Sequence, residues 1–97
     1  MKVLHVDKNH PLLLENLEKS GFTNKIAYEQ PKNEIIKSID QYDGLIIRSR
    51  FPIDADFLKN AKRLKFIGRV GAGVENIDQK LVKKMGIKLF AAPQGNS

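Results

Sequence analysis

Ninety-seven residues, 41% of them hydrophobic and 29% charged, make one small globular domain whose composition lies well away from that of a disordered chain. The absence of cysteine excludes disulfides and thiolate metal sites and fits a reducing compartment, by default the cytoplasm. No apolar run approaches the roughly 20 residues of a membrane span, and the segment after Met1 is too short for a signal peptide. The net charge of +6 raises the question of nucleic acid, but Lys32, Lys37, Lys59, Lys62, Lys80, Lys83 and Lys84 are scattered along helical segments. Acidic residues interrupt them and no aromatic platform lies among them, which is the pattern of solvated helix faces. Small anions would still be steered toward such a field.

Lys2 to Val6 alternates apolar residues and reads as a strand, and Pro11 suits the first turn of a helix of about ten residues. That helix carries Leu12, Leu13, Leu14 and Leu17 and closes at Ser20-Gly21. Lys25 to Tyr28 is expected as the second strand, and Pro31 opens a second helix bearing Ile35, Ile36 and Ile39. Gln41 to Gly44 breaks that helix, and Leu45-Ile46-Ile47 is the uninterrupted apolar run of a central strand buried on both faces. Asp54 caps a third helix with Ala55, Phe57, Leu58 and Ala61, and Leu64 to Ile67 reads as the fourth strand. A glycine loop from Gly68 to Asn76 follows; Asn76 or Asp78 caps a fourth helix that Gly86 ends, and Ile87 to Ala91 is the fifth strand. Five strands alternating with four helices imply an α/β fold, a doubly wound parallel five-stranded sheet with helices on both faces. Ala92 to Ser97 runs out of the last strand, and Asn96-Ser97 reads as the cap of a helix beyond the chain, so a truncated protein is expected.

In such sheets ligands sit beyond the carboxyl ends of the strands, where Arg48-Ser49-Arg50 leaves the third strand and Arg69-Val70-Gly71-Ala72-Gly73 leaves the fourth. The glycine loop resembles a dinucleotide fingerprint, but G-x-G-x-x-G started at Gly71 fails at Asn76 and the loop follows the fourth strand, not the first. Two readings remain: glycines that merely permit a tight turn, or a nest of inward N–H groups that holds a carboxylate or phosphate. Arg48, at the mouth of a buried strand, favours the anion reading, although a cap or an ion pair would also occupy it. Arg50 is expected to be exposed, and Arg69 to pair with Glu75 or Asp78. A phosphorelay receiver has the same layout, but only Asp7 answers its acidic pair and Arg48 stands in place of its phosphorylated aspartate. His5 and His10 lack a further ligand at metal spacing and read as structural.

Leu45-Ile46-Ile47-Arg48-Ser49, Gly68 to Asp78, Gly86-Ile87 and Ala92 to Ser97 together resemble the D-isomer-specific 2-hydroxyacid dehydrogenases, with four motifs in the family's order from about Tyr42 onward. The resemblance implies that residues 1–97 are the first part of a flavodoxin-like substrate-binding domain. An NAD-binding domain would be inserted after it, absent from this chain. By matched position, Arg48, Ser49, the amides of Val70, Gly71, Ala72 and Gly73, and Asn96 would contact a small anionic 2-hydroxyacid or 2-oxoacid. Ala72 departs from a threonine of some relatives, which weakens any contact from it to the cofactor. Arg48 and Arg50 together would suit a doubly charged phosphate, as in 3-phosphoglycerate, the substrate for serine biosynthesis. The family's catalytic His, Glu and Arg lie on later sequence, so these residues alone are expected to be inactive. The complete enzyme is expected to be a homodimer or larger, with no nucleic-acid or membrane partner. A free-standing anion-binding or interaction module is the competing, non-catalytic expectation.

Overall fold

The computed structural model describes residues 1–8, 11–48, 50–70 and 76–92. Five parallel strands, β1 (Lys2–His5), β2 (Thr23–Ile26), β3 (Gly44–Ile47), β4 (Phe66–Val70) and β5 (Lys88–Ala92), form one sheet in the order β2-β1-β3-β4-β5. Four helices connect them: α1 (Pro11–Lys19), α2 (Lys32–Ser38), α3 (Ala55–Leu58) and α4 (Gln79–Lys84), with a 3-10 turn, Ile39–Gln41, after α2. The chain steps one way from β1 to β2 and the opposite way at every later crossover. Right-handed connections therefore put α1 on one face and α2, α3 and α4 on the other.

Local chemistry sets the helix ends. The Asp54 carboxylate accepts the Phe57 N–H at 3.0 Å, and that of Asp78 accepts the Leu81 N–H at 3.1 Å, so Asp78 rather than Asn76 is the cap of α4. Gly21 (φ +91°) and Gly86 (φ +75°) stop α1 and α4 in the left-handed conformation. After Gly21 the Phe22 N–H reaches the Leu17 carbonyl, and after Gly86 the Ile87 N–H reaches that of Val82, each closing a Schellman motif. Both motifs deliver an apolar residue, Phe22 or Ile87, directly into a core cluster.

The larger cluster lies between the sheet and the three helices. Leu4, Val6, Leu45, Ile47 and Ile67 meet Ile35, Ile39, Phe57, Leu58 and Val82 there. On the opposite face Val3, Ile46 and Val70 pack with Leu13 and Leu17 of α1 and with Phe22 and Phe66. All four residues of β3 are buried, as its unbroken apolar run implies. The Phe22, Phe66 and Phe90 rings form a row across this second face, each neighbouring pair 5.9 Å apart between centroids. Among the described residues α1 is the only helix on that face, and Phe90 stays 43% exposed.

Two strands depart from the sequence reading. β2 starts at Thr23 and ends at Ile26, because it pairs with β1 from Lys2↔Thr23 onward, while Tyr28 falls in the turn after the strand. β4 begins at Phe66 and runs through Val70, so Gly68 belongs to the sheet and not to the glycine loop. A side chain at Gly68 would meet Ile46 Cδ1 at 2.7 Å and the Phe90 ring at 3.2 Å, so its glycine makes room for neighbouring side chains. Gly44, taken as a helix breaker, is the first residue of β3, and a Cβ there would stand 2.1 Å from the Phe66 ring.

At the amino edge of the sheet the buried Asp43 joins three strands. Its carboxylate accepts the Lys2 N–H at 2.8 Å and Arg63 Nε at 3.0 Å, and its carbonyl accepts the N–H groups of Lys65 and Phe66. The Lys2 amide holds the Asp43 carboxyl below its ordinary value of 3.8, against the opposing effect of burial and with help from Arg63. On the second face His5 is wholly buried, its Nε2 2.7 Å from Asn24 Oδ1, while the Asn24 amide donates to the Leu14 carbonyl. Burial pushes the imidazole below 6.5, and the bond to Asn24 opposes this only in part.

Replacing Asp43 with Ala leaves the Lys2 amide without its acceptor and removes the bond to the exposed Arg63, and urea unfolding should record a loss of about 1 to 3 kcal/mol. Because the native pKa of Asp43 is lowered, its contribution is present above pH 3.8 and disappears as pH falls through the native value; D43A should lose that slope. His5 also has a lowered native pKa, so its share is complete above pH 6.5 and is lost as pH falls from there toward the native value. Unfolding curves of H5Q should be flat across that upper interval while the wild type declines.

Candidate functional site at the carboxyl edge

The third and fourth strands leave the sheet side by side. Ile47 pairs with Arg69, so Arg48 and Val70 exit adjacent strands at the same level. Beyond them the crossovers meet again: Ile53 and Ile77 form a parallel bridge, with the Ile53 N–H on the Asn76 carbonyl at 2.8 Å and the Asp78 N–H on the Ile53 carbonyl at 2.9 Å. The Asn76 side chain also donates to the Phe51 carbonyl at 3.4 Å. The segment after Arg48 and the far end of the glycine loop are thus fastened to one another, which gives the sequence-based convergence a covalently short and hydrogen-bonded frame.

Arg48 is exposed, while its own N–H donates to Asp7 Oδ2 at 2.6 Å. Among the described residues no hydrogen bond or ion pair of its guanidinium is found. Its backbone is fixed and its charged end faces solvent. Val70 is buried in the smaller core cluster, so it can offer a ligand only its main chain. Ser49, Gly71, Ala72, Gly73 and Asn96, the other candidate ligand contacts, lie outside the described residues, as do Glu75 and His10.

Arg50 corrects the expectation of an exposed side chain. It is half-buried, and its guanidinium donates to the carbonyls of Val6 at 2.9 Å, Ala27 at 2.7 Å and Gln30. Those three carbonyls stand at the ends of β1 and β2 and in the turn after β2, so Arg50 ties strand ends together and is not poised for a phosphate. Arg69 is buried and donates to the Val70 carbonyl; Asp78, one of its expected partners, caps α4. In the sequence Asp7 stands out only as half of a phosphorelay acidic pair; its role as acceptor for the main-chain amides of Arg48 and Arg50, 41 and 43 residues away, has no local sequence signal.

A dinucleotide does not fit what this chain presents. Where the fingerprint has its third glycine, which lets the helix pack closely on the strand, Asn76 is half-buried and committed through its side chain and carbonyl to Phe51 and Ile53. The described residues also contain no group of three His, Asp or Glu that would hold a metal ion, and no helix long and apolar enough to cross a membrane. Among the described residues the edge offers the exposed guanidinium of Arg48, its main-chain amide bonded to Asp7, beside two converging crossovers, a geometry suited to capturing an anion.

Residues 3–97 match the family model of the D-isomer specific 2-hydroxyacid dehydrogenase catalytic domain. A D-3-phosphoglycerate dehydrogenase of Archaeoglobus fulgidus is 33% identical over 97 residues, which is 100% of this chain but 18% of that protein. Among solved structures, the PH0520 protein of Pyrococcus horikoshii superposes with a TM-score of 0.85 at 32% identity, covering 94% of this chain and 27% of that one. The NAD+-bound 3-phosphoglycerate dehydrogenase of Entamoeba histolytica gives 0.74 at 30%, covering 92% and 32% respectively. With its five-stranded parallel sheet and the motifs at that sheet's carboxyl edge, the chain belongs to the D-isomer-specific 2-hydroxyacid dehydrogenases, as part of their catalytic domain.

Proposed function

We propose that this chain is the first part of the substrate-binding domain of an NAD-dependent dehydrogenase that oxidises a D-2-hydroxyacid, 3-phosphoglycerate to 3-phosphohydroxypyruvate. The observation that carries the reading is Arg48: a solvent-facing guanidinium whose backbone is anchored at the carboxyl edge of the central strand. A planar cation held there suits the carboxylate of a hydroxyacid, and charge-assisted bonds of this kind contribute about 1.5 to 3 kcal/mol each. In this reading the amides of Val70, Gly71, Ala72 and Gly73 complete the carboxylate site, and Ser49 and Asn96 line the cleft.

In this reading bound NAD would supply the hydride acceptor and be held by the remainder of a longer polypeptide, because the G-x-G-x-x-G pattern started at Gly71 fails at Asn76. The groups that take the hydroxyl proton belong there too. The work of residues 1–97 is to bind and orient the acid. The names of the Archaeoglobus and Entamoeba relatives support phosphoglycerate as the acid. Arg50 no longer supports it, because its guanidinium is engaged by main-chain carbonyls. The complete enzyme is a cytoplasmic homodimer or larger assembly in this proposal.

In the complete enzyme, Arg48→Ala should raise KM for 3-phosphoglycerate by about 10- to 100-fold and leave the Kd for NAD within about twofold. An unchanged KM would remove Arg48 from the substrate site. Oxidation of D-glycerate with kcat/KM equal to that of 3-phosphoglycerate would refute the phosphorylated substrate while keeping the family chemistry.

A further inference from the structure

Asp7 and Arg50 make complementary hydrogen bonds between the exits of β1 and β3. The last ladder pairing of β3 is at Ile47, so the N–H groups beyond it have no strand to bond. Asp7 Oδ2 takes two of them, from Arg48 at 2.6 Å and Arg50 at 3.1 Å, so a single carboxylate oxygen gathers amides two residues apart. Arg50 then reaches back with its guanidinium to the Val6 carbonyl, one residue before Asp7, and to Ala27 and Gln30. The Val6 N–H meanwhile holds the Ile46 carbonyl at 3.0 Å. The exits of β1 and β3 are therefore stitched in both directions, side chain of one onto main chain of the other.

The stitching leaves one group out. Arg48 contributes its amide to the turn and keeps its side chain in solvent. A turn built only to close the fold has no need to fix the backbone of a residue whose long side chain makes no bond among the described residues. Fixing it does have a consequence for ligand capture: with its amide held, the Cα–Cβ direction of Arg48 is set, and only side-chain rotamers remain to be frozen when an anion binds.

We infer that Asp7 is a positioning residue for the substrate site: held on a β1 exit that the Arg50 guanidinium ties to the β3 exit through the Val6 carbonyl, its carboxylate orients Arg48 toward the anion. The inference rests on the reading of Arg48 as a substrate contact and assigns Asp7 no contact with substrate. It requires that Asp7 act through Arg48, and that dependence is measurable as non-additivity.

The test is a double-mutant cycle in the complete enzyme with 3-phosphoglycerate and NAD, using D7A, R48A and D7A/R48A, with D7N as the conservative variant that retains one carbonyl acceptor. D7A should raise KM for the acid about 10-fold with kcat and KM for NAD within about twofold. D7N should recover most of that loss, and D7A in the R48A background should change KM by less than twofold. A D7A effect of equal size with and without Arg48, or one that falls on kcat and NAD binding alike, overturns the positioning role and leaves Asp7 a part of the scaffold. If R48A itself leaves KM unchanged, the reading of Arg48 fails and this inference falls with it; if R48A raises KM and D7A does not, only the inference fails. Should D7A not fold, the same cycle run with D7S, whose shorter hydroxyl is the poorer acceptor, decides: a D7S effect of equal size in both backgrounds, or none in either, overturns the proposal, and an effect that vanishes in R48A upholds it.

Discussion

A parallel sheet buried on both faces has to dispose of main-chain polar groups at its two ends, where ladders stop and water is partly excluded, and this constraint organises the molecule. It is met at both ends by an aspartate that accepts main-chain amides. Asp43 receives the Lys2 amide at the start of β1, and its own carbonyl receives the first amides of β4. Asp7 receives the amides beyond β3 at the opposite edge. Each carboxylate is flanked by an arginine that bridges further: Arg63 to Asp43 itself, and Arg50 to the carbonyls behind Asp7. The difference between the ends is what is left over. At the amino edge the buried carboxylate is paired with Arg63; at the carboxyl edge the guanidinium of Arg48 is exposed, with no bonded partner among the described residues.

The division of labour explains why a glycine-rich turn in this fold need not be a cofactor cradle. β4 carries Gly68 within the sheet, where it admits the Ile46 and Phe90 side chains, and Asn76 closes the far end of the loop onto Phe51 and Ile53. What lies between is bounded by a strand end on one side and by the Ile53–Ile77 bridge on the other. The segment is thus anchored at both of its described ends by main-chain hydrogen bonds.

The parts of the fold governed by local rules were legible in the sequence. The alternation of strands and helices, the burial of Leu45-Ile46-Ile47, the Asp54 and Asp78 caps and the glycine stops at Gly21 and Gly86 each rest on neighbours within a few residues. The misplaced pieces depend on distant pairing. β2 is polar, with Thr23, Asn24 and Lys25, and only its register with β1 fixes it two residues earlier than its apolar content suggests. β4 extends through Gly68 because β3 and β5 hold ladders on both sides of it. At the site, Arg48 was visible as a cation after a buried strand. The engagement of Arg50 and the use of Asp7 were not, since their partners are main-chain atoms 20 to 44 residues away, with no residue type to betray them.

The row of Phe22, Phe66 and Phe90 has a consequence for how the molecule behaves among copies of itself. Phe90 lies on β5, an edge strand, with an exposed ring and with Lys88 as its neighbour on the same side of the strand. An edge strand beside an open aromatic surface invites lateral association, and a lysine on that strand together with a net charge of +6 opposes it by repulsion. That protection is electrostatic and works over a distance of about 8 to 10 Å at ordinary ionic strength. Colloidal stability of this chain is therefore set by dissolved salt rather than by its core, and concentrated electrolyte removes the barrier while leaving the sheet itself intact.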